Sequence, residues 1–260
     1  MKSAICWFSG AGNSKTVAQD LHVTLGYDQL LAIPEVIKNP ELLSDIDTLG
    51  LVFPIYFFGP PAVVRTLISE TLKNLALEID YLFIIFTHGG LPFYAPSITD
   101  RLLAEAGYAP SYVDTITMVD TYIPLFKIPQ EKKQQSIHAK IGSKIESIST
   151  RLQAQDVKVA IRLPFTRLLQ GIWQNSLSKR GQKDKNFLIT DQCTECGICA
   201  QVCPVQNIVM ERNRPIFLHS CEQCFACYHH CPEQAIRLQR TPLRGYSWYT
   251  PPTTFISQEK

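Results

Sequence analysis

"FSGAGNSKT", residues Phe8 to Thr16, follows an apolar run that begins at Ala4 and leads into a helix-start pattern. A strand, a small-residue loop and a helix in that order aim the loop's N–H groups and the positive end of the helix dipole at one point. The stretch therefore reads as a phosphate cradle opening an α/β fold. Spacing decides whose phosphate it suits. The Walker pattern G-x4-G-K-[ST], laid over Ser9 to Thr16, fails because Ser9 and Ser14 stand at its two glycine positions. The dinucleotide fingerprint G-x-G-x-x-G starts at Gly10 and Gly12 but meets Lys15 at its third glycine. What remains is a loop of Ser9, Gly10, Ala11, Gly12, Asn13 and Ser14, rich in neutral donors. That chemistry suits a monophosphate dianion and needs no metal. Lys15 is expected to point to solvent.

Outward from this loop, strand and helix signals alternate. Strands are expected over 3–8, 27–32, 49–53, 81–87 and 112–119, and helices over 13–25, 61–72, 96–106 and 130–155, with 33–48 irregular. Gly26 and Gly107 sit where left-handed caps belong. This order implies a doubly wound parallel sheet with helices on both faces. From residue 157 the pattern changes to a short extended piece, a helix reaching 178, and a cysteine-rich, mostly irregular remainder, with a boundary near Lys183.

The chain has 260 residues, 45% hydrophobic and 18% charged, which describes an ordinary globular protein. No uncharged apolar run approaches membrane-spanning length, and the start lacks the pattern of a signal peptide. A cytoplasmic protein without a membrane span is the expectation, and there cysteine clusters point to metal before disulfides. Residues 1–160 carry 13 Lys and Arg against 16 Asp and Glu, whereas residues 161–260 carry 12 against 7. The basic excess lies over 162–185, and no zinc-finger or basic-helix pattern surrounds it, so nucleic acid is not an expected partner. A solvated connecting segment is the plainer reading.

Cys193, Cys196, Cys199 and Cys203 form C-x2-C-x2-C-x3-C-P, and Cys221, Cys224, Cys227 and Cys231 repeat it 28 residues later. Three thiolates at this spacing reach three corners of one cubane, while the fourth, before its proline, is out of reach. This is the bacterial two-cluster ferredoxin run, in which the fourth cysteine crosses to the other cluster. One [4Fe–4S] cluster would then use Cys193, Cys196, Cys199 and Cys231, and the other Cys221, Cys224, Cys227 and Cys203. Structural zinc uses paired knuckles and would leave thiolates over. His229 and His230 beside Cys231 read as solvent-facing loop residues, and Cys6 as a small core residue.

The opening loop is similar to the FMN phosphate loop of flavodoxins, and the chain as a whole resembles the flavodoxin–ferredoxin fusions of the EFR1 family. Flavodoxin-like loops usually show [ST]-x-T-G-[NT]-[ST]; Ala11 stands at the Thr position and removes a hydroxyl donor. The resemblance implies a first flavin-flanking loop at "PIYFFGPP", with Pro54, Tyr56, Phe57, Phe58 and Gly59. It implies a second at "THGG", with Thr87, His88, Gly89 and Gly90, and a looser third at Met118–Ile123. An aromatic run after a strand, taken alone, reads more readily as core. All these segments follow strands, at the carboxyl edge where doubly wound folds bind ligands. The implied organisation is a flavodoxin-like FMN domain over 1–160, a basic helical linker over 161–185, a two-[4Fe–4S] ferredoxin domain over 186–240 and a tail over 241–260. The implied cofactors are FMN and two [4Fe–4S] clusters. The implied role is an electron carrier serving other redox proteins. Separately, the charge balance raises the basic segment 162–185 as a docking face for an acidic redox partner, beside its plainer reading as a solvated linker. Two alternatives stay open: an iron–sulfur flavoenzyme reducing a quinone or nitro compound, and a ferredoxin with an empty flavodoxin-like scaffold. No catalytic triad or nucleophilic cysteine is visible.

Overall fold

Thr48–Pro54 and Tyr81–His88 are buried along almost their whole length and form the middle of the sheet. Strands covered on both faces cannot alternate apolar with polar, so they read as continuous hydrophobic runs. The computed structural model describes residues 2–256; the last four positions of the expected tail lie outside the described residues. Strands β1 (Ser3–Trp7), β2 (Gln29–Ala32), β3 (Thr48–Pro54), β4 (Tyr81–His88) and β5 (Tyr112–Thr117) are all parallel, in the order β2-β1-β3-β4-β5. This is the flavodoxin-like doubly wound order.

Helices cover both faces. Helix α1 (Asn13–Leu25) and a long helix at Glu131–Gln153 lay Val17, Leu21, Ile141 and Ile145 on Ile5, Val52 and Ile85. The opposite face packs Val36, Leu67, Ile98 and Leu102 on Cys6, Leu51, Phe53 and Ile84. Cys6 is fully buried, as the sequence suggests. Residues 33–48 are not irregular: α2 (Ile33–Lys38) and a 3-10 turn at Pro40–Leu43 occupy them. The helix is too short to show a period, but its Ile33 and Val36 are fully buried and hold it to the sheet. Helix α3 (62–75) runs three residues beyond its expected end through a π-helical stretch at Leu67–Leu72. Helices α4 (Ala95–Glu105) and α5 (Glu131–Gln153) complete the layers, and β5 stops at Thr117, two residues early.

Helix α6 (Thr166–Gly181) carries the basic stretch but is no purely solvated connector. Its Trp173 and Gln170 are buried, and Trp173 belongs to the core. Beyond it lies a small dicluster-type unit with two antiparallel two-stranded sheets. Strand β6 (Phe187–Ile189) pairs with β9 (Ile236–Leu238), and β7 (Ile208–Glu211) pairs with β8 (Arg214–Phe217). Two single-turn helices, α7 (Ile198–Gln201) and α8 (Ala226–His229), follow the cysteine loops. The chain then returns across the sheet half, with Tyr249 and Phe255 buried. Thr254 Oγ1 and the Phe255 N–H donate to the carboxylate of Asp20 on α1, the latter at 2.8 Å.

Candidate functional site

The loops after β1, β3, β4 and β5 all leave the carboxyl edge of the sheet and surround a cavity of about 410 Å³. Ser9, Gly10, Ala11, Asn13, Ser14, Pro54, Tyr56, Phe57, Phe58, Thr87, His88, Gly89 and Gly90 line it together. Of the expected residues only Gly12 and Gly59 face elsewhere. A Cβ on Gly12, whose φ is +103°, would lie 2.7 Å from Pro251 Cγ, and one on Gly59 would strike the Trp173 indole. Among the described residues, no lysine or arginine lines it.

The phosphate loop is well supplied with donors. Gly12 N–H donates to Ser9 Oγ at 3.1 Å. The N–H groups of Gly10, Ala11, Asn13 and Ser14 have no acceptor among the described residues. Ser14 Oγ and Thr87 Oγ1 share one hydrogen bond at 2.8 Å, which leaves one hydroxyl proton to give outward. With the N-terminus of the 13-residue α1 behind them, these groups fit a phosphate dianion. The Asn13 side chain is occupied: Nδ2 donates to Val119 O at 3.1 Å, and Oδ1 accepts from Tyr249 Oη at 2.9 Å. Ala11 is buried in an apolar cluster with Val119, Phe225 and Tyr228, where a Thr hydroxyl would have no place. Lys15 is exposed and stands over the Trp7 ring at 5.4 Å.

Tyr56 N–H and Gly59 N–H exchange bonds with each other's carbonyls across Phe57 and Phe58, which have φ of 51° and 71°. Two positive-φ central residues are the type I′ arrangement, ordinarily filled by Asn-Gly, so this turn holds two strained phenylalanines at the cavity wall. His88 Nδ1–H donates to Gly90 O at 2.7 Å, and its buried Nε2 has no partner. Burial lowers the His88 pKa, so the ring is neutral and offers a bare acceptor to a donor such as a flavin imide N–H. Asp120, which the sequence did not single out, packs on Gly89 and accepts the Tyr122 N–H at 2.9 Å. Burial raises its carboxyl, an effect partly offset by that bond.

The eight cysteines fall into two sets. Cys193, Cys196, Cys199 and Cys231 line one small cavity with Ile189, Ile198, Met210 and Ile236. Cys203 lies within electrostatic range of Cys221, Cys224 and Cys227. Both fourth cysteines therefore stand with the other repeat's triplet. The repeat is visible in the backbone: φ is positive at Glu195 and Gln223, at Gly197 and Phe225, and at Gln206 and Gln234, each pair 28 residues apart. Cys203 Sγ accepts Asn207 N–H at 3.1 Å, and Cys231 Sγ accepts Ala235 N–H at 3.2 Å. Among the described residues no three metal-ligating side chains converge closely enough for a single ion. Burial pushes the Cys221 thiol up to about 12 and raises Cys224 and Cys227 as well. Groups that resist ionising alone become thiolates when iron supplies the opposing charge. Cys196 is the exposed member of the eight, while Cys227 is buried.

The two sites share a wall. Gln223, Cys224 and Phe225 from the second cysteine loop line the 410 Å³ cavity. A Cβ on Gly10 would lie 2.4 Å from Cys224 O, 2.9 Å from Cys224 Cβ and 2.7 Å from Tyr56 Oη. Glu222 accepts the N–H groups of Ala62 and Val63 at 3.2 and 2.7 Å, capping α3 from across the junction. His229 is buried, contrary to its expected solvent-facing position. Its Nε2–H donates to Thr121 O at 3.0 Å, and its Nδ1 accepts Tyr249 N–H at 3.2 Å. Desolvation lowers it to about 4, so it is neutral. One sequence signal did mark this wall: the repeat has Gly197 at the first left-handed position but Phe225 at the second. An aromatic there costs about 1–2 kcal/mol and calls for a reason; Phe225 meets Tyr122 edge-to-face at 5.5 Å.

Residues 185–232, which include all eight cysteines of the repeat, match the family model of the 4Fe-4S dicluster domain. No curated protein matches the chain. Among solved structures, a flavodoxin from the domain Archaea is similar at 15% identity and TM-score 0.37, over 58% of this chain and 99% of that one. The Trp repressor binding protein from Bacillus subtilis is similar at 12% identity and TM-score 0.42, over 58% of this chain and 97% of that one. The azoreductase AzrA is similar at 9% identity and TM-score 0.38, over 59% of this chain and all of that one. The chain thus joins an N-terminal flavodoxin-like fold to a 4Fe-4S dicluster ferredoxin domain.

Proposed function

We propose that this is an electron-transfer protein of the flavodoxin–ferredoxin fusion kind, passing electrons between FMN and two [4Fe–4S] clusters and exchanging them with other redox proteins of the cytoplasm. The observation that carries the reading is the shared wall: Cys224 lies in the lining of the same cavity as the phosphate loop. FMN supplies two-electron chemistry that can be divided into single electrons, and each cubane handles one electron at a time. The chain's part is to position and insulate. The donors of residues 9–14 hold the phosphate end, Tyr56, Phe57 and Phe58 flank the ring, and His88 Nε2 accepts from it. Cys221, Cys224, Cys227 and Cys203 hold an inner cluster against that cavity. Cys193, Cys196, Cys199 and Cys231 hold an outer one, where exposed Cys196 gives partners access. In this arrangement Cys193, Cys196, Cys199 and Cys231 would hold their cluster on the partner side, and Cys203, Cys221, Cys224 and Cys227 would hold theirs on the flavin side.

The test is anaerobic purification with iron, sulfide and flavin quantified. The reading expects roughly eight irons per chain and one FMN, retained or taken up. Zinc in place of iron, or a wild-type chain unable to bind FMN, refutes it.

A further inference from the structure

Asn13 lies on the phosphate loop, Val119 and Thr121 on the loop after β5, His229 on α8 beside the cysteines, and Tyr249 on the C-terminal segment. One buried circuit joins them. Asn13 Nδ2 donates to Val119 O, and Asn13 Oδ1 accepts from Tyr249 Oη. Tyr249 N–H donates to His229 Nδ1, and His229 Nε2–H donates to Thr121 O, which returns to the loop that holds Val119. Because the single Tyr249 hydroxyl proton goes to Asn13, His138 Nε2–H must donate to that oxygen, at 3.1 Å. Asn13, His229 and Tyr249 are each at most 9% exposed.

We propose that Tyr249 and His229 are positioning residues through which the C-terminal segment braces the phosphate loop from outside the cavity and ties FMN affinity to the seat of the inner-cluster helix. This deepens the flavin reading above and rests on it. The physical reason is satisfaction. Asn13 begins α1 and lines the cavity, and its main-chain N–H has no acceptor among the described residues. Its side chain can hold the loop in one geometry only while both Nδ2 and Oδ1 are bonded, since a buried acceptor left unpaired favours any rearrangement that frees it. Pro251 and Pro252 reinforce the segment: Pro251 packs against Gly12, and Thr16 Oγ1 donates to Pro252 O at 3.2 Å. The bond from Tyr249 to His229 then transmits the position of α8 to the same asparagine.

Tyr249→Phe keeps the ring and the main-chain donor and removes the hydroxyl. Titration of the cluster-loaded protein with FMN, followed by flavin fluorescence quenching, is expected to show about fivefold weaker binding, the equivalent of one net hydrogen bond. Iron content should stay unchanged. Tyr246→Phe removes a hydroxyl from the same segment outside the circuit, where among the described residues it bonds only Leu238, and should bind FMN as the wild type does. His229→Leu should weaken FMN binding, and His229→Gln, which can both donate and accept, should recover part of the loss. That pair decides the matter if Tyr249→Phe does not fold. Wild-type affinity in Tyr249→Phe or in His229→Leu, with full iron content, overturns the proposal. A wild-type chain that binds no FMN overturns the flavin reading as well, and is told apart because the failure precedes any substitution.

Discussion

Gly10 and Cys224 touch across the two halves of the chain, so closely that a methyl group on Gly10 would lie 2.4 Å from the Cys224 carbonyl oxygen. One residue lies in the phosphate loop and the other belongs to the second cysteine motif. Because that carbonyl is main chain and is anchored by neighbouring cysteines, it cannot swing aside as a flexible side chain would.

Gly10→Ala is therefore expected to destabilise the protein by about 1–3 kcal/mol, the usual cost of overpacking. It should also disturb both sites together, weakening FMN binding and altering the inner-cluster spectrum. Parallel denaturant melts and FMN titrations check this; an alanine variant with wild-type values in both would show that the two halves separate easily.

The paired cysteine sets predict a selective loss. Cys203→Ser should damage the cluster held by Cys221, Cys224 and Cys227, although Cys203 is adjacent in sequence to the other triplet. Cys231→Ser should damage the cluster of Cys193, Cys196 and Cys199. Each variant is expected to retain roughly four irons, and the two should differ in electron paramagnetic resonance spectra. Interchanged losses would mean that each motif keeps its own fourth ligand.

Glu222 caps α3 from the cysteine loop. Removing a cap carboxylate costs about 1 kcal/mol, so Glu222→Ala should lower stability by that amount, with Glu222→Gln intermediate. Because the same carboxylate sets the inner loop against the Pro54–Pro61 segment, transfer between flavin and clusters should slow in stopped-flow reduction while iron content holds.

Asp120 is held protonated more readily than an ordinary carboxyl, because burial disfavours its charge. A carboxyl raised in the folded state contributes stability that is complete below the ordinary carboxylate range and is lost as pH rises through its folded value. Asp120→Asn, which can still accept the Tyr122 N–H, should therefore melt higher than wild type at neutral pH. The two curves should converge as the pH falls below about 4. Removing negative charge from the cavity should also raise the flavin midpoint potential. Melting curves across pH and a redox titration measure the two effects.

Much of this was legible in the sequence because it resides in local signals. The buried runs of β3 and β4, the glycine caps at Gly26 and Gly107 and the spacing of eight cysteines each carry their meaning within a few residues. Helix α2 was not legible, since six residues show no period and only tertiary burial of Ile33 and Val36 stabilises it. Nor were the bonds of His229 and Tyr249, which join positions 108 and 236 residues distant from their partners. Loop histidines near cysteines are ordinarily solvated, and nothing local marks the one that is buried. Asp120 was hidden in the same way, as an acid whose environment comes from Gly89 on another strand's loop.

The claim on which the account turns is that the cluster of Cys203, Cys221, Cys224 and Cys227 forms one wall of the flavin site. Electron paramagnetic resonance of the partly reduced protein tests it most directly, through the relaxation rate of the flavin radical signal. A reduced cluster at contact distance should speed that relaxation in the wild type and in Cys231→Ser, and the enhancement should vanish in Cys203→Ser. A flavin signal that relaxes at the same rate with and without the inner cluster would contradict the shared wall.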